Sequence, residues 1–216
     1  MCVRFHIAGC CMGCWAAGLA SVQSRTRLGF TMYLFLIFLV FGFVCNLASA
    51  FTAVFCQRWG ERQGSLVSVL LRDILGIPVW ALGFVLAART SSPSLFASSL
   101  MAVAIGWGLI LSGGIIIVMA LISIRIRAAR PSQKDRLVET GLYSCVRHPI
   151  HCGTLLEFAG LLLLIPTVAM ACACALGIIW ILAQSRVEEC DLRQRIPEYS
   201  DYMKRVPRFL PRIWRK

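Results

Sequence analysis

Residues 152–184 read CGTLLEFAGLLLLIPTVAMACACALGIIWILAQ and form a continuous apolar stretch of 33 residues. It contains one charged side chain, Glu157, and Pro166 lies near its middle. A single straight helix over these residues would measure about 50 Å, which exceeds the roughly 30 Å hydrocarbon core of a bilayer. Because proline interrupts a helix, the sequence predicts a helical hairpin whose two ends lie on the same side of the membrane.

Three further apolar stretches precede the hairpin, at residues 28–55, 66–88 and 95–124. Each is long enough to cross a bilayer. The third offers small surfaces for close helix packing, at Gly106, Gly108, Gly113 and Gly114. We therefore expect an all-α integral membrane protein with about five transmembrane helices, or six if the apolar residues 5–22 also span.

Composition and charge agree with this fold class. The chain is 58% hydrophobic and only 15% charged, against roughly 25% charged in soluble domains, which excludes an ordinary water-soluble enzyme. The net charge is +12, and 15 of the 22 Lys and Arg residues follow residue 124, in segments that flank the hairpin. This positive-inside pattern predicts a cytoplasmic C-terminus in a multi-pass protein of a bacterial inner membrane or the endoplasmic reticulum. It indicates contact with membrane lipids and no nucleic-acid partner.

The eleven cysteines indicate neither a disulfide scaffold nor a metal centre. Most of them lie inside apolar runs, where they act as small hydrophobic residues. The N-terminal Cys10, Cys11 and Cys14 lack a second ligand pair such as a later Cys-x-x-Cys, and structural zinc needs four ligands. The sequence therefore predicts no metal site. We divide the chain into an N-terminal apolar segment (1–27), three transmembrane helices (28–124) and a C-terminal core (125–216).

Polar residues cluster at both ends of the predicted hairpin. Arg147-His148-Pro149 precedes it, and Glu188-Glu189 follows it. If both ends face the cytoplasm, these two groups come together at one membrane-facing mouth. A cleft that is apolar below and polar above suits an amphipathic substrate that meets a water-soluble reagent.

The ordered set of motifs resembles the isoprenylcysteine carboxyl methyltransferase family, whose general plan the phospholipid methyltransferases share. The resemblance rests on Arg147-His148-Pro149, on Glu188-Glu189, and on Glu198-Tyr199-x-x-Tyr202 with Arg205-Val206-Pro207. It covers roughly residues 125–214. It implies an integral-membrane methyltransferase that holds S-adenosylmethionine in a cytoplasmic cleft, between the loop before the hairpin and the helix after it, and that acts on a lipophilic small molecule or lipidated substrate.

The resemblance also implies which residues hold the cofactor. Carboxylates such as Glu188 can accept hydrogen bonds from ribose hydroxyls, while Arg147 and His148 can meet the methionine carboxylate. The residues carried over to the cofactor site are Leu137, Val138, Tyr143, Arg147, His148, Pro149, Ile150, His151, Glu188 and Glu189.

Two positions depart from the family pattern. His151 stands where the family usually has Tyr, and Gln184 stands where the eukaryotic enzymes carry a substrate-facing Arg. The second departure weakens the case for a prenylcysteine carboxylate as acceptor. A carboxylate acceptor needs no base, whereas an amine or thiol must first lose a proton. His148, His151 and Glu157 are the candidates for that role, and the catalytic residue stays open.

Other interpretations remain at this point. The chain is also compatible with a phospholipid N-methyltransferase-like enzyme, an NADPH-dependent enzyme similar to membrane sterol reductases, or a non-catalytic membrane protein. Anchoring is an alternative explanation for Arg147, and a solvated helix end is one for the Glu188-Glu189 pair, while Tyr199 and Tyr202 are more typical of an interfacial aromatic belt than of ligands. Glu157, an ionisable group inside a span, either lines the cleft or is protonated and hydrogen-bonded to a neighbouring helix.

Overall fold

The computed structural model describes residues 33–124 and 137–211, and within these ranges the chain is helical with no named β-strand. The apolar residues 5–22, the N-terminal cysteines and the basic residues 125–136 lie outside the described residues. A short 3₁₀ turn, Gly141–Ser144, precedes the hairpin. The helices are α1 (Tyr33–Ser49), α2 (Thr52–Trp59), α3 (Glu61–Arg89), α4 (Leu100–Ile124), α5 (Pro149–Leu164), α6 (Val168–Arg195) and α7 (Tyr199–Arg205).

Several of these helices are long and apolar enough to cross a membrane, so the expected fold class of a multi-pass helical protein is confirmed. Within the described residues, three helices qualify alone, namely α3, α4 and α6. A fourth span results if α1 and α2, bent by 62° at their junction, count as one. The remaining helix, α5, has 16 residues and measures about 24 Å, less than a hydrocarbon core. Residues 33–124 and 137–211 therefore contain three to four such spans and one shorter apolar helix, where the sequence predicts about five transmembrane helices for the chain.

The hairpin breaks where Pro166 predicts. Helix α5 ends at Leu164 and α6 begins at Val168. The backbone of the turn is held by the connection between α3 and α4: Leu95 N donates to Pro166 O at 2.7 Å, and Val168 N donates to Pro93 O at 3.0 Å. These bonds satisfy backbone groups that the proline frees from the helix.

Paired glycines bring α4 and α5 into close contact. A Cβ at Gly153 would lie 2.6 Å from Gly113 O, and a Cβ at Gly160 would lie 2.6 Å from Gly106 O. Any side chain at these positions would push the two backbones apart, so the glycine surface predicted on α4 serves a helix interface. Gly108 is different, because no atom lies within 4 Å of its Cβ position.

An aromatic core fills the space between α1, α3, α5 and α6. Phe43 and Trp180 stack with ring centroids 4.8 Å apart, and Phe84 and Phe158 stack at 5.0 Å. The core reaches the polar end of the hairpin, where the rings of His151 and Trp180 form a T-shaped pair with their centroids 6.1 Å apart. An apolar floor therefore lies directly beneath the polar residues of the site.

Candidate active site

The polar site begins at the first turn of α5, where the C-terminal segment pairs with the Arg-His-Pro motif. His148 is the N-cap residue of α5, and Pro149 occupies its first position, where a missing N–H costs nothing. The backbone N–H groups of Arg147 and His148 donate to the carbonyls of Pro207 and Arg208 at 2.9 and 3.2 Å. We call residues 206–209 the C-terminal strap.

Glu189 is the centre of a buried charge network, which we call the Glu189 network. Its side chain is only 4% exposed. It accepts hydrogen bonds at 3.0 Å from Arg147 Nε and from Arg208 Nε, and His148 Nε2 lies 3.1 Å from its Oε1. A buried carboxylate is tolerated when several charged donors surround it, as here. The network therefore joins α5, α6 and the C-terminal strap.

The guanidinium of Arg147 makes several hydrogen bonds within this network. Besides Glu189, its guanidinium donates to the backbone carbonyls of Met203 and Val206. The resemblance implies that Arg147 either meets the methionine carboxylate of a cofactor or supports the site. Its contacts with Glu189 and the two carbonyls favour the supporting role.

Glu188 has a different environment, although it is the adjacent residue. Its side chain is 33% exposed. Its Oε1 accepts a hydrogen bond from Gln184 Nε2 at 2.8 Å, and its Oε2 lies 3.5 Å from His148 Nδ1. The carboxylate is held in place but retains exposed surface, which leaves it able to accept hydrogen bonds from a ligand.

The two histidines lie side by side above the aromatic core. Their rings stack with centroids 5.2 Å apart and an interplanar angle of 22°. His151 Nδ1 and Gln184 Oε1 are buried and have no hydrogen-bond partner among the described residues. One ligand atom from each of His148, His151 and Glu188 lies within 4.8 Å of the other two. Unpartnered buried polar atoms next to an exposed carboxylate indicate a place where a ligand would complete the hydrogen bonding.

His148 is poorly suited to act as a general base. Burial lowers its pKa, but the hydrogen bonds to Glu188 and Glu189 outweigh burial, and the net pKa lies above the usual histidine value. Interactions with two carboxylates favour the imidazolium form. His148 is therefore better placed to hold negative charge than to remove a proton.

The tyrosines near the site have structural contacts. Tyr202 Oη donates to the backbone carbonyl of Tyr143 at 2.6 Å, and burial raises the pKa of Tyr202 to about 12. Tyr199 and Tyr202 are buried in a small apolar cluster against which Leu137 packs. These contacts fix the loop before the hairpin on α7, so the interpretation of Tyr199 as an interfacial belt residue gives way to a packing role.

Glu157 lies apart from the cluster. Glu157 follows His148 by nine residues, which places it about 13 Å further along the axis of α5. It packs on Gly113 and Gly114 of α4 and faces an open groove of about 460 Å³. We call this the Glu157 groove, and its other lining residues are Ile110, Leu111, Ile115, Val118 and Met119.

The structure thus brings together only some of the residues expected at the cofactor site. Val138 and Ile150 are half-buried, and Pro149 is buried at the helix start. Arg208 was missed by the sequence reasoning, although it directly follows the Arg-Val-Pro motif. The residues that converge are Arg147, His148, His151, Glu188 and Glu189.

Comparison with known proteins identifies the central part of the chain. The family model of phospholipid methyltransferases matches residues 101–195, which run from α4 to the end of α6. These residues match the phospholipid methyltransferase family. The match confirms the resemblance to membrane methyltransferases, because this family is related to the isoprenylcysteine carboxyl methyltransferases. The matched segment includes all five convergent residues, whereas the C-terminal strap lies beyond it.

Two curated relatives are similar over a shorter stretch. The nickel-cobalt-cadmium resistance protein NccN of Alcaligenes xylosoxydans xylosoxydans and the cobalt-zinc-cadmium resistance protein CzcN of Cupriavidus metallidurans are each 33% identical over 82 residues. The alignments cover 38% of this chain and 38% of each relative. No solved structure matches the chain.

Proposed function

We propose that this protein transfers the methyl group of S-adenosylmethionine to a lipophilic acceptor at the cytoplasmic face of a membrane. The observation that carries the proposal is the convergence of His148 from one end of the hairpin and Glu188 from the other, 3.5 Å apart, inside the segment that matches the methyltransferase family. The positive-inside pattern of the basic segments supports the cytoplasmic orientation of this end.

The residues present fit the cofactor. The exposed part of Glu188 and the unpartnered Oε1 of Gln184 are acceptors for ribose hydroxyls or for an ammonium group. The pKa of His148 is raised by Glu188 and Glu189, and its ring keeps the Glu188 carboxylate in position for the cofactor, with Nδ1 3.5 Å from Glu188 Oε2. When bound, the cofactor supplies an electrophilic methyl group on a sulfonium. The residues of the chain then need only orient the reactants and exclude water.

The acceptor would approach from the apolar side of the site. The aromatic core under His151 provides contact for a hydrocarbon chain, while the polar end of the acceptor reaches the mouth of the hairpin. If the acceptor is an amine, His151 is the best placed base, because its Nδ1 has no partner within the described ranges. Glu157, about 13 Å away along the helix, is not placed for this step.

The test is methyl transfer in reconstituted membranes. We expect the purified protein in vesicles of native lipid extract to move labelled methyl groups from S-adenosylmethionine into lipid, and the Glu188→Gln variant to lose at least 90% of this activity. Glu198→Gln is the matched control, because Glu198 is an exposed carboxylate at the start of α7.

The product then distinguishes the acceptor types. Mild alkali releases labelled methanol from a methyl ester and leaves an N-methyl product intact. The absence of label above the blank, in protein that is well folded, would contradict the methyltransferase proposal. NADPH would then be the next ligand to test.

The names of the two relatives favour a second candidate, a role in bacterial resistance to divalent metals. The support is the shared 33% identity over 82 residues. Expression in a metal-sensitive bacterium should raise the cobalt, nickel or cadmium concentration that stops growth, and Glu188→Gln should abolish the gain. Equal growth with and without the protein would contradict this candidate.

A further inference from the structure

The cluster of His148, His151 and Glu188 has the geometry of a transition-metal site. Each residue offers one ligand atom, and these atoms lie within 4.8 Å of one another. Bonds from a first-row divalent ion to imidazole nitrogen or carboxylate oxygen measure about 2.0–2.2 Å, so two ligands at the tetrahedral angle lie about 3.4 Å apart. His148 Nδ1 and Glu188 Oε2 are already 3.5 Å apart, and the remaining ligand atoms must approach by up to about 1.4 Å to close the site.

The positions of the ligands come from two rigid elements. His148 and His151 are three residues apart at the start of α5, which places them on one face of the helix. Glu188 projects from α6, the other arm of the hairpin. A site built across two helices in this way is held by the fold and does not depend on a loop.

The surrounding residues orient the ligands as supporting residues do in known metal sites. A metal-binding histidine usually engages a carboxylate through its second ring nitrogen. His148 Nε2 lies 3.1 Å from Glu189 Oε1, and Glu189 is itself held by Arg147 and Arg208. This arrangement leaves His148 Nδ1 facing Glu188 Oε2.

The second histidine has an unused donor atom. His151 is buried, and its Nδ1 has no partner within the part of the chain that the structure describes. Gln184 donates to the other oxygen of Glu188 at 2.8 Å, which fixes the carboxylate. Once the incoming ion displaces the Nδ1 proton of His148 to solvent, two histidine nitrogens and one oriented carboxylate supply three coordination positions of a divalent ion.

The ligand types select the class of metal. Two imidazoles and one carboxylate suit zinc, cobalt or nickel, whereas magnesium and calcium prefer oxygen ligands alone. Three protein ligands also leave at least one coordination position open, as in catalytic zinc sites.

We propose that His148, His151 and Glu188 bind one late first-row divalent transition-metal ion, and that this ion competes with the methyl-donor cofactor. The first half goes beyond methyl transfer and rests on the geometry of the three residues. The second half rests on the proposed function, because it assumes that His148 and Glu188 also hold the cofactor.

The test is cobalt binding to the full-length, detergent-purified protein after removal of any affinity tag. Titration with Co²⁺ should give one equivalent of binding by calorimetry, together with the visible absorption of a nitrogen- and oxygen-ligated ion. His151→Phe keeps an aromatic ring but removes the nitrogen ligands, and it should weaken cobalt binding at least tenfold. His6→Phe is the matched control, because His6 is the remaining histidine of the chain, and it should bind cobalt as the wild type does.

Two results would overturn the metal site. One is equal cobalt binding by the wild type and His151→Phe. The other is a sulfur-to-cobalt charge-transfer band that disappears when thiols are blocked, since this would place the ion on cysteines. The absence of any cobalt binding by the wild type would also overturn the metal site.

Titration of the metal-free wild type with S-adenosylmethionine separates this inference from the proposed function. Failure to bind the cofactor contradicts the methyltransferase proposal, and the cobalt result then stands alone. If both ligands bind, saturating Co²⁺ should weaken cofactor binding at least tenfold. Unchanged cofactor affinity would overturn the competition.

Discussion

The Glu189 network and the Glu157 groove show two ways in which one helical hairpin holds a carboxylate. Glu189 is 4% exposed and meets Arg147, His148 and Arg208. Glu157 is half-buried on α5, where it packs on Gly113 and Gly114 of α4 and faces the apolar side chains of the Glu157 groove. A carboxylate therefore holds the site together only where it lies at the polar end of the bundle, among cationic side chains.

The largest effect is expected when the charge of Glu189 is removed. Glu189→Gln keeps the shape of the side chain but leaves Arg147 and Arg208 without this counter-charge and His148 with Glu188 alone. Breaking a buried ion pair in this way costs about 3–5 kcal/mol. Reversible unfolding in detergent, followed by tryptophan fluorescence, measures the loss.

The exposed Glu198 provides the control for this substitution. Glu198→Gln should change the free energy of unfolding by no more than about 0.5 kcal/mol. A loss below about 1 kcal/mol for Glu189→Gln would mean that the Glu189 network does not hold α5, α6 and the C-terminal strap together.

A smaller loss is expected at the α4–α5 interface that forms the wall of the Glu157 groove. In Gly153→Ala the new Cβ would lie 2.6 Å from Gly113 O, so the helices must separate. Overpacking of this kind costs about 1–3 kcal/mol. Gly108→Ala, with no atom within 4 Å, should instead gain about 0.5–1 kcal/mol from helix propensity. Equal effects of the two substitutions would contradict the paired-glycine contact.

A phenol hydrogen bond is one of the contacts that tie the loop before the hairpin to α7, beside the packing of Leu137 and the ion pair between Glu139 and Arg205. Tyr202→Phe removes the hydrogen bond to the carbonyl of Tyr143 and keeps the aromatic packing. We expect a loss of about 1 kcal/mol in the same unfolding measurement. Unchanged stability would show that the packing of the ring alone fixes this loop.

The smallest effect is expected at Glu157. Because its surroundings are apolar, Glu157→Leu should leave stability within about 0.5 kcal/mol of the wild type, or raise it. A destabilisation as large as that of Glu189→Gln would remove the distinction between the two regions and would point to a polar partner for Glu157.

The sequence predicted the features that follow from local rules. Pro166 predicts the break in the hairpin because proline cannot continue a helix, and the glycines of α4 predict a close helix contact because they lack side chains. The motif order placed His148 and Glu188 at the same end. Each of these predictions needs only the identity of nearby residues and the length of a helix.

The rest depends on contacts between distant parts of the chain. Arg208 was missed because its partner Glu189 is reached only after the C-terminal strap folds back onto α5. The inward direction of the Arg147 guanidinium depends on the carbonyls of Met203 and Val206, which no pattern in the sequence specifies. Cysteine spacing predicts no metal site, whereas His148 and His151 meet Glu188 only because α6 folds back beside α5.

Calorimetric binding of S-adenosylmethionine to the detergent-purified protein tests the central claim most directly. We predict binding by the wild type and by Glu198→Gln, and an affinity at least tenfold lower, about 1.4 kcal/mol, for Glu188→Gln. Equal affinity for all three proteins would contradict the placement of the cofactor at Glu188. No binding by the folded wild type would contradict the methyltransferase account itself.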